Sequence, residues 1–148
     1  MSIHRATVHW HRTAAPFTYE TYVRAHSWHF PGGSTVQASA ALAFRGDPAL
    51  VDPEEAFVAS LASCHLLTVL ALAARAGHTV DAYDDEAEGV LAENADGRLA
   101  ITRVVLRPRA EFSGQVPTEE EIARLHERAH ADCFIANSVR TGVVVEPR

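Results

Sequence analysis

A chain of 148 residues with 47% hydrophobic and 22% charged side chains has the length and composition to bury one core, and it reads as a single domain over 1–148. Its net charge of -6 argues against a nucleic-acid partner, since the thirteen cationic residues are all arginine, scattered rather than gathered into a basic stripe. Two cysteines 69 positions apart make no disulfide framework, and no apolar segment follows the basic "MSIHRATVHWHR", so the expected setting is cytoplasmic, with thiols kept reduced.

In chain order, "RATVHWHR" (5–12) and "FTYETYVRAHSWHF" (17–30) read as extended chain, rich in aromatic and β-branched residues and divided by Pro16. "PGGS" (31–34) is a turn before a further extended run, "TVQASAALAFRG" (35–46). A long helix follows at about 53–76. Asp52 suits the N-cap, Pro53 the first helical position and Glu55 the capping box, while Gly77 supplies the stop. Residues 56–74 are nineteen in a row without formal charge, long enough for a membrane span. Ser60, Ser63, Cys64, His65 and Thr68 in its middle argue instead for a central helix of a globular domain. "TVDAYDDEAEGVLAE" (79–93) and "RLAITRVVLRPRAEF" (98–112) are strands joined by the hairpin turn "NADG". Thr118 and Glu121 open a second helix at about 119–131, and "TGVVVEP" (141–147) is a closing strand. The expected class is α+β, with helices on mostly antiparallel sheets.

Cys64 poses the functional question. A free cysteine is most often a small buried hydrophobe. Here, however, small residues surround it (Ala59, Ser60, Ala62 and Ser63), and Cys133 ends a second amphipathic segment that could fold back onto it. Upstream, "FRGD" offers Arg45 and the helix start offers Glu54.

"DPEEAFVASLASCH" followed by "AHADCFIANS" resembles the OsmC/Ohr family of thiol-dependent hydroperoxide reductases, over the stretch from "RGD" to "TGVVVEP". The resemblance implies sheets around a long central helix in an intertwined homodimer. It implies Cys64 as the peroxide-reactive sulfur, Cys133 as the residue that resolves it, and Glu54, ten residues before Cys64, as partner of an arginine near the sulfur. Arg45 is the first choice for that arginine, with Arg24 in "YVRAH" as its rival. It implies an organic hydroperoxide substrate and an external dithiol reductant of lipoyl type, with no metal or bound cofactor. Two departures place the chain in a general OsmC-like branch. Phe134 to Asn137 stand where relatives carry proline and serine, and the early glycine-pair-plus-arginine signature of the Ohr branch is missing.

The chemistry sets its own demands. The thiolate is the nucleophile, an ordinary cysteine titrates at about 8.5, and Cys64 lies too far into its helix to use the dipole. A cation is required, and arginine stays charged when partly buried. Ten residues of continuous helix put Glu54 about 15 Å along the axis from Cys64. Either the helix breaks early, or an arginine spans the gap, or Glu54 serves the Cys64 of a second subunit. An apolar entrance of Phe57, Leu61 or Phe134 would favour organic hydroperoxides. Two alternatives remain at this level: a non-catalytic small-ligand-binding module, and a metal site of His126, His130 and Cys133 with Cys64 or His65. His65 faces about 100° away from Cys64, a poor direct base, and His130 is placed to support Cys133 by hydrogen bonds.

Overall fold

Eight strands and two long helices follow one another in a computed structural model that describes all 148 residues. The fold is α+β with mostly antiparallel sheets, and the backbone divides into two compact units, residues 1–56 and 57–148.

In the first unit, β1 (Thr7–His9), β2 (His26–His29) and β3 (Thr35–Ala38) form an antiparallel sheet. These strands are shorter than the extended runs read from the sequence. Residues 17–25 leave the sheet because Thr18 and Thr21 close a local turn: the Tyr22 amide donates to the Thr18 carbonyl (3.0 Å) and the Thr18 amide to Thr21 Oγ1 (3.1 Å). Side-chain hydroxyls thereby satisfy groups that a ladder would otherwise take. The third run stops at Ala38 and turns through a short 3-10 helix, Leu42–Phe44. Beyond it the chain folds back tightly at Arg45, which takes a left-handed φ of 65°, and at Gly46, where an added Cβ would sit 1.5 Å from the Ala40 carbonyl oxygen. Only glycine fits there.

Helix α1 (Pro53–Arg75) is punctuated as its sequence demands. The Glu55 amide donates to Asp52 Oδ1 (2.7 Å) and the Asp52 amide to Glu55 Oε2 (3.1 Å), a reciprocal capping box. At the other end Gly77 has φ 83°, and the His78 amide reaches the Ala73 carbonyl (3.0 Å), closing a Schellman turn. Helix α2 (Glu119–Asp132) opens with a second capping box between Thr118 and Glu121.

The sheets of the second unit divide where the sequence suggested two unbroken strands. β5 (Glu88–Glu93) and β6 (Leu99–Leu106) form the hairpin through "NADG", and β8 (Gly142–Val145) lies parallel to β6. β4 (Thr79–Asp85) pairs instead with β7 (Pro108–Ser113). The corner lies at Arg107, whose amide donates to Asp85 Oδ1 (2.7 Å), so a side chain replaces a ladder partner. Leu61 of α1 packs against Val104 and Leu106 of β6 to form the core cluster. Gly89 of β5 is a close approach, because an added Cβ would lie 2.5 Å from Val58 Cγ2.

Candidate functional site: a thiol pair between the two helices

The side chains at 64 and 133 come together although 69 positions separate them. Cys64 is half-buried near the middle of α1, where its carbonyl accepts from Thr68 Oγ1 (2.8 Å). Cys133 is the fully buried C-cap residue of α2. The turn after it is closed by short local bonds. The Ala136 amide donates to Cys133 Sγ (3.5 Å), Asn137 Nδ2 to the Ala131 carbonyl (2.9 Å) and Ser138 Oγ to the Phe134 carbonyl (2.7 Å). The segment Phe134 to Ser138 therefore holds the second cysteine by polar contacts.

Both cysteines are free thiols. Burial pushes the Cys133 thiol up, and the neighbouring Cys64 sulfur adds to the shift. Cys133 is thus held as the neutral S–H, and Cys64 is the sulfur that faces an open groove. That groove, about 550 Å³, runs along α1 past Leu67, Ala71 and Leu72 to Arg75, with Phe134 and Asn137 on its other side. Of the expected entrance residues only Phe134 lies there, 81% exposed. Leu61 is wholly buried in the core and Phe57 packs against it, because both share the face of α1 turned to β6.

The histidines behave differently from the sequence expectation. His65 and His126 are both buried, and His65 Nε2 lies 3.0 Å from His126 Nδ1. The His65 imidazole is pushed down to about 4, by burial first and then by His126 and His130; burial also lowers His126. His130 Nδ1 is buried without a partner, so the expected hydrogen-bond support for Cys133 through that nitrogen is not made. No three His, Cys, Asp or Glu side chains are disposed to hold one metal ion, His126, His130 and Cys133 included. The buried pair carried no local sequence signal beyond an apolar-face spacing, since its partners are 61 positions apart.

The first unit contains the other residues singled out from sequence. Arg24 donates from Nη1 to the Tyr22 carbonyl (2.6 Å) and from Nη2 to the Tyr19 carbonyl (2.5 Å), and its guanidinium lies 3.8 Å from the Tyr22 ring centre. Its buried Nε has no partner. It lines an aromatic pocket of about 390 Å³ with Trp10, Phe17, His26, Ser39 and Pro53. Arg45 is exposed in the turn before Gly46. Glu54 is half-buried in the first turn of α1 and takes part in no ion pair within the chain.

A family model described as OsmC-like protein matches residues 46–148. Among solved structures, an OsmC-like protein of unknown function from Vibrio cholerae is 47% identical over 100% of both chains, with a TM-score of 0.96. Organic hydroperoxide resistance proteins from Legionella pneumophila (17% identity, TM-score 0.73, 99% of this chain and 96% of that one) and Bacillus subtilis (18%, 0.71, 99% and 98%) share the fold. No functionally curated protein sequence matches the chain.

Proposed function

This chain belongs to the OsmC-like protein family, and on that premise we propose that it reduces organic hydroperoxides through Cys64 and Cys133. What supports the reading is that the two thiols are neighbours, with Cys64 lining a largely apolar groove and Cys133 held as the buried thiol. In the proposed cycle the Cys64 thiolate attacks one peroxide oxygen. The O–O bond breaks, the alkoxide leaves and takes up a proton as the alcohol, and Cys64 becomes a sulfenic acid. Cys133 then attacks that sulfur, releasing water and forming the disulfide, which an external dithiol of lipoyl type reduces by exchange. This cycle needs no metal or bound cofactor and is proposed for the cytoplasm.

The required cation is the open part of the site. Along α1 the groove next offers Arg75, eleven residues beyond Cys64 and about 16 Å along the axis, too far to act on the sulfur. α1 is unbroken from Pro53 to Arg75, so Glu54 stands about 15 Å from Cys64 on the same rod. Of the three geometries open to Glu54, a second copy of the chain supplying Glu54 and an arginine fits an unbroken helix best. Arg24 supports that role better than Arg45, because its guanidinium is stacked on tyrosine and set in a pocket beside Pro53. Only Leu61, His65, Val69 and Ala73 of α1 are buried within one chain, which leaves Ser63, Leu67 and Ala71 for a partner to cover. We therefore extend the proposal to an intertwined homodimer with two composite sites.

The test is to mix reduced protein with cumene hydroperoxide and count thiols. Two should be lost per chain, none in Cys64→Ser, and in Cys133→Ser one sulfenic acid should accumulate that dimedone traps. Thiols that survive excess peroxide would instead favour the small-ligand-binding alternative.

A further inference from the structure

Of the fourteen residues of α2 only His126 and Ala129 are buried, with Ile122 and Leu125 half-buried, and the cluster around Leu61, Val104 and Leu106 takes no side chain from α2. What α2 presents to α1 is an imidazole. The His65 and His126 rings are 14° from coplanar with centroids 5.3 Å apart, so they meet edge to edge through one shared N–H rather than face on face. His126 precedes Cys133 by two helical turns, which places both on one side of α2, and His65 directly follows Cys64. The bond is made in full burial and leaves His65 Nδ1 without any partner. An apolar pair of the same shape would be easier to bury, but a directional bond sets rotation and height as apolar contact does not.

We propose that the His65–His126 hydrogen bond is the positioning contact for the disulfide step, holding α2 where Cys133 meets Cys64, and that protonating the pair parts the two sulfurs. This rests on the redox reading of the two cysteines. The groups bearing on His65 are His126 and His130 of α2, with Cys64 next to it in the chain; no carboxylate is among those that shift it. A first added proton therefore puts a charge in the interface without a counterion, and a second sets N–H against N–H.

The experiment uses no peroxide. Full-length reduced protein is equilibrated with oxidised and reduced dithiothreitol from pH 7 to pH 4, with selenocystamine as exchange catalyst, and the disulfide fraction is read by alkylation and mass. Two electrons and two protons pass from the protein thiols to the reagent disulfide, so failure of the peroxidase reading leaves this equilibrium intact. His126→Leu should lower the disulfide equilibrium constant at least tenfold at pH 7. His126→Asn, whose amide offers both donor and acceptor, should recover most of it. The wild-type constant should fall toward pH 4, whereas the His126→Leu profile should be flat. A Leu variant within twofold of wild type, or an Asn variant no better than Leu, overturns the proposal. If His126→Leu does not fold by circular dichroism, a flat wild-type profile overturns it equally.

Discussion

Arg24 and Arg45 separate most clearly by what holds each guanidinium. Arg24 is clamped by two carbonyls and a tyrosine face, so little side-chain entropy remains to be lost when it meets an anion. Arg45 is exposed, and its left-handed backbone serves the turn at Gly46. The expected outcome is that Arg24→Ala slows the reaction of Cys64 with cumene hydroperoxide at least about tenfold, roughly 1.4 kcal/mol of barrier, while Arg45→Ala changes it less than threefold. Stopped-flow thiol consumption at pH 7 measures both, and the reverse order would return Arg45 to the site. Cys133 shows how one residue depends on its neighbours. The polar turn from Phe134 to Ser138 fixes its sulfur by local hydrogen bonds.

At the scale of elements, α2 depends on its ends and on one buried polar contact. Thr118→Ala removes the hydroxyl that accepts from the Glu121 amide (3.2 Å) and should cost about 1 kcal/mol in urea unfolding. The imidazole pair gives α2 and α1 a common acid sensitivity. A histidine whose folded-state value is lowered from 6.5 to about 4 binds its proton more weakly folded than unfolded. The stability it allows is complete above pH 6.5, falls as pH drops through that value toward 4, and falls no further below. For His65 alone the loss approaches about 3 kcal/mol. Urea midpoints at pH 7, 5.5 and 4 should therefore decline, and less so in His65→Leu if that variant folds. A slope unchanged by the substitution would place the acid-sensitive group elsewhere.

For the whole molecule, α1 has only Leu61, His65, Val69 and Ala73 buried within one chain, and the groove beside Cys64 offers Arg75 as its cation, eleven residues further along the helix. The second copy proposed above would meet both deficits at once. If the sites are composite, neither Arg24→Ala nor Cys64→Ser protein alone should turn over hydroperoxide well. After unfolding and refolding together they should recover roughly a quarter of wild-type activity, since half the dimers would be mixed and each mixed dimer holds one intact site. No recovery, with exchange verified by native mass spectrometry, would mean that Arg24 and Cys64 of one chain work together. Sedimentation should give about twice the chain mass of 16.1 kDa.

The sequence by itself determined the punctuation. Asp52 with Glu55, Thr118 with Glu121, Gly77 and "NADG" fix helix ends and a hairpin because caps and turns are made between residues at most five positions apart. It also marked Cys64 through a motif that lies within one helix. It did not decide which face of α1 the core would claim, so Leu61 went inward and Leu67 became groove wall. Nor did it reveal that two strands bend at Arg107 and Asp85 into separate sheets, or that His65 finds His126. Those contacts join residues 22 and 61 positions apart, and their cost in chain entropy is met only when the surrounding packing forms with them. Tertiary structure alone could choose among them.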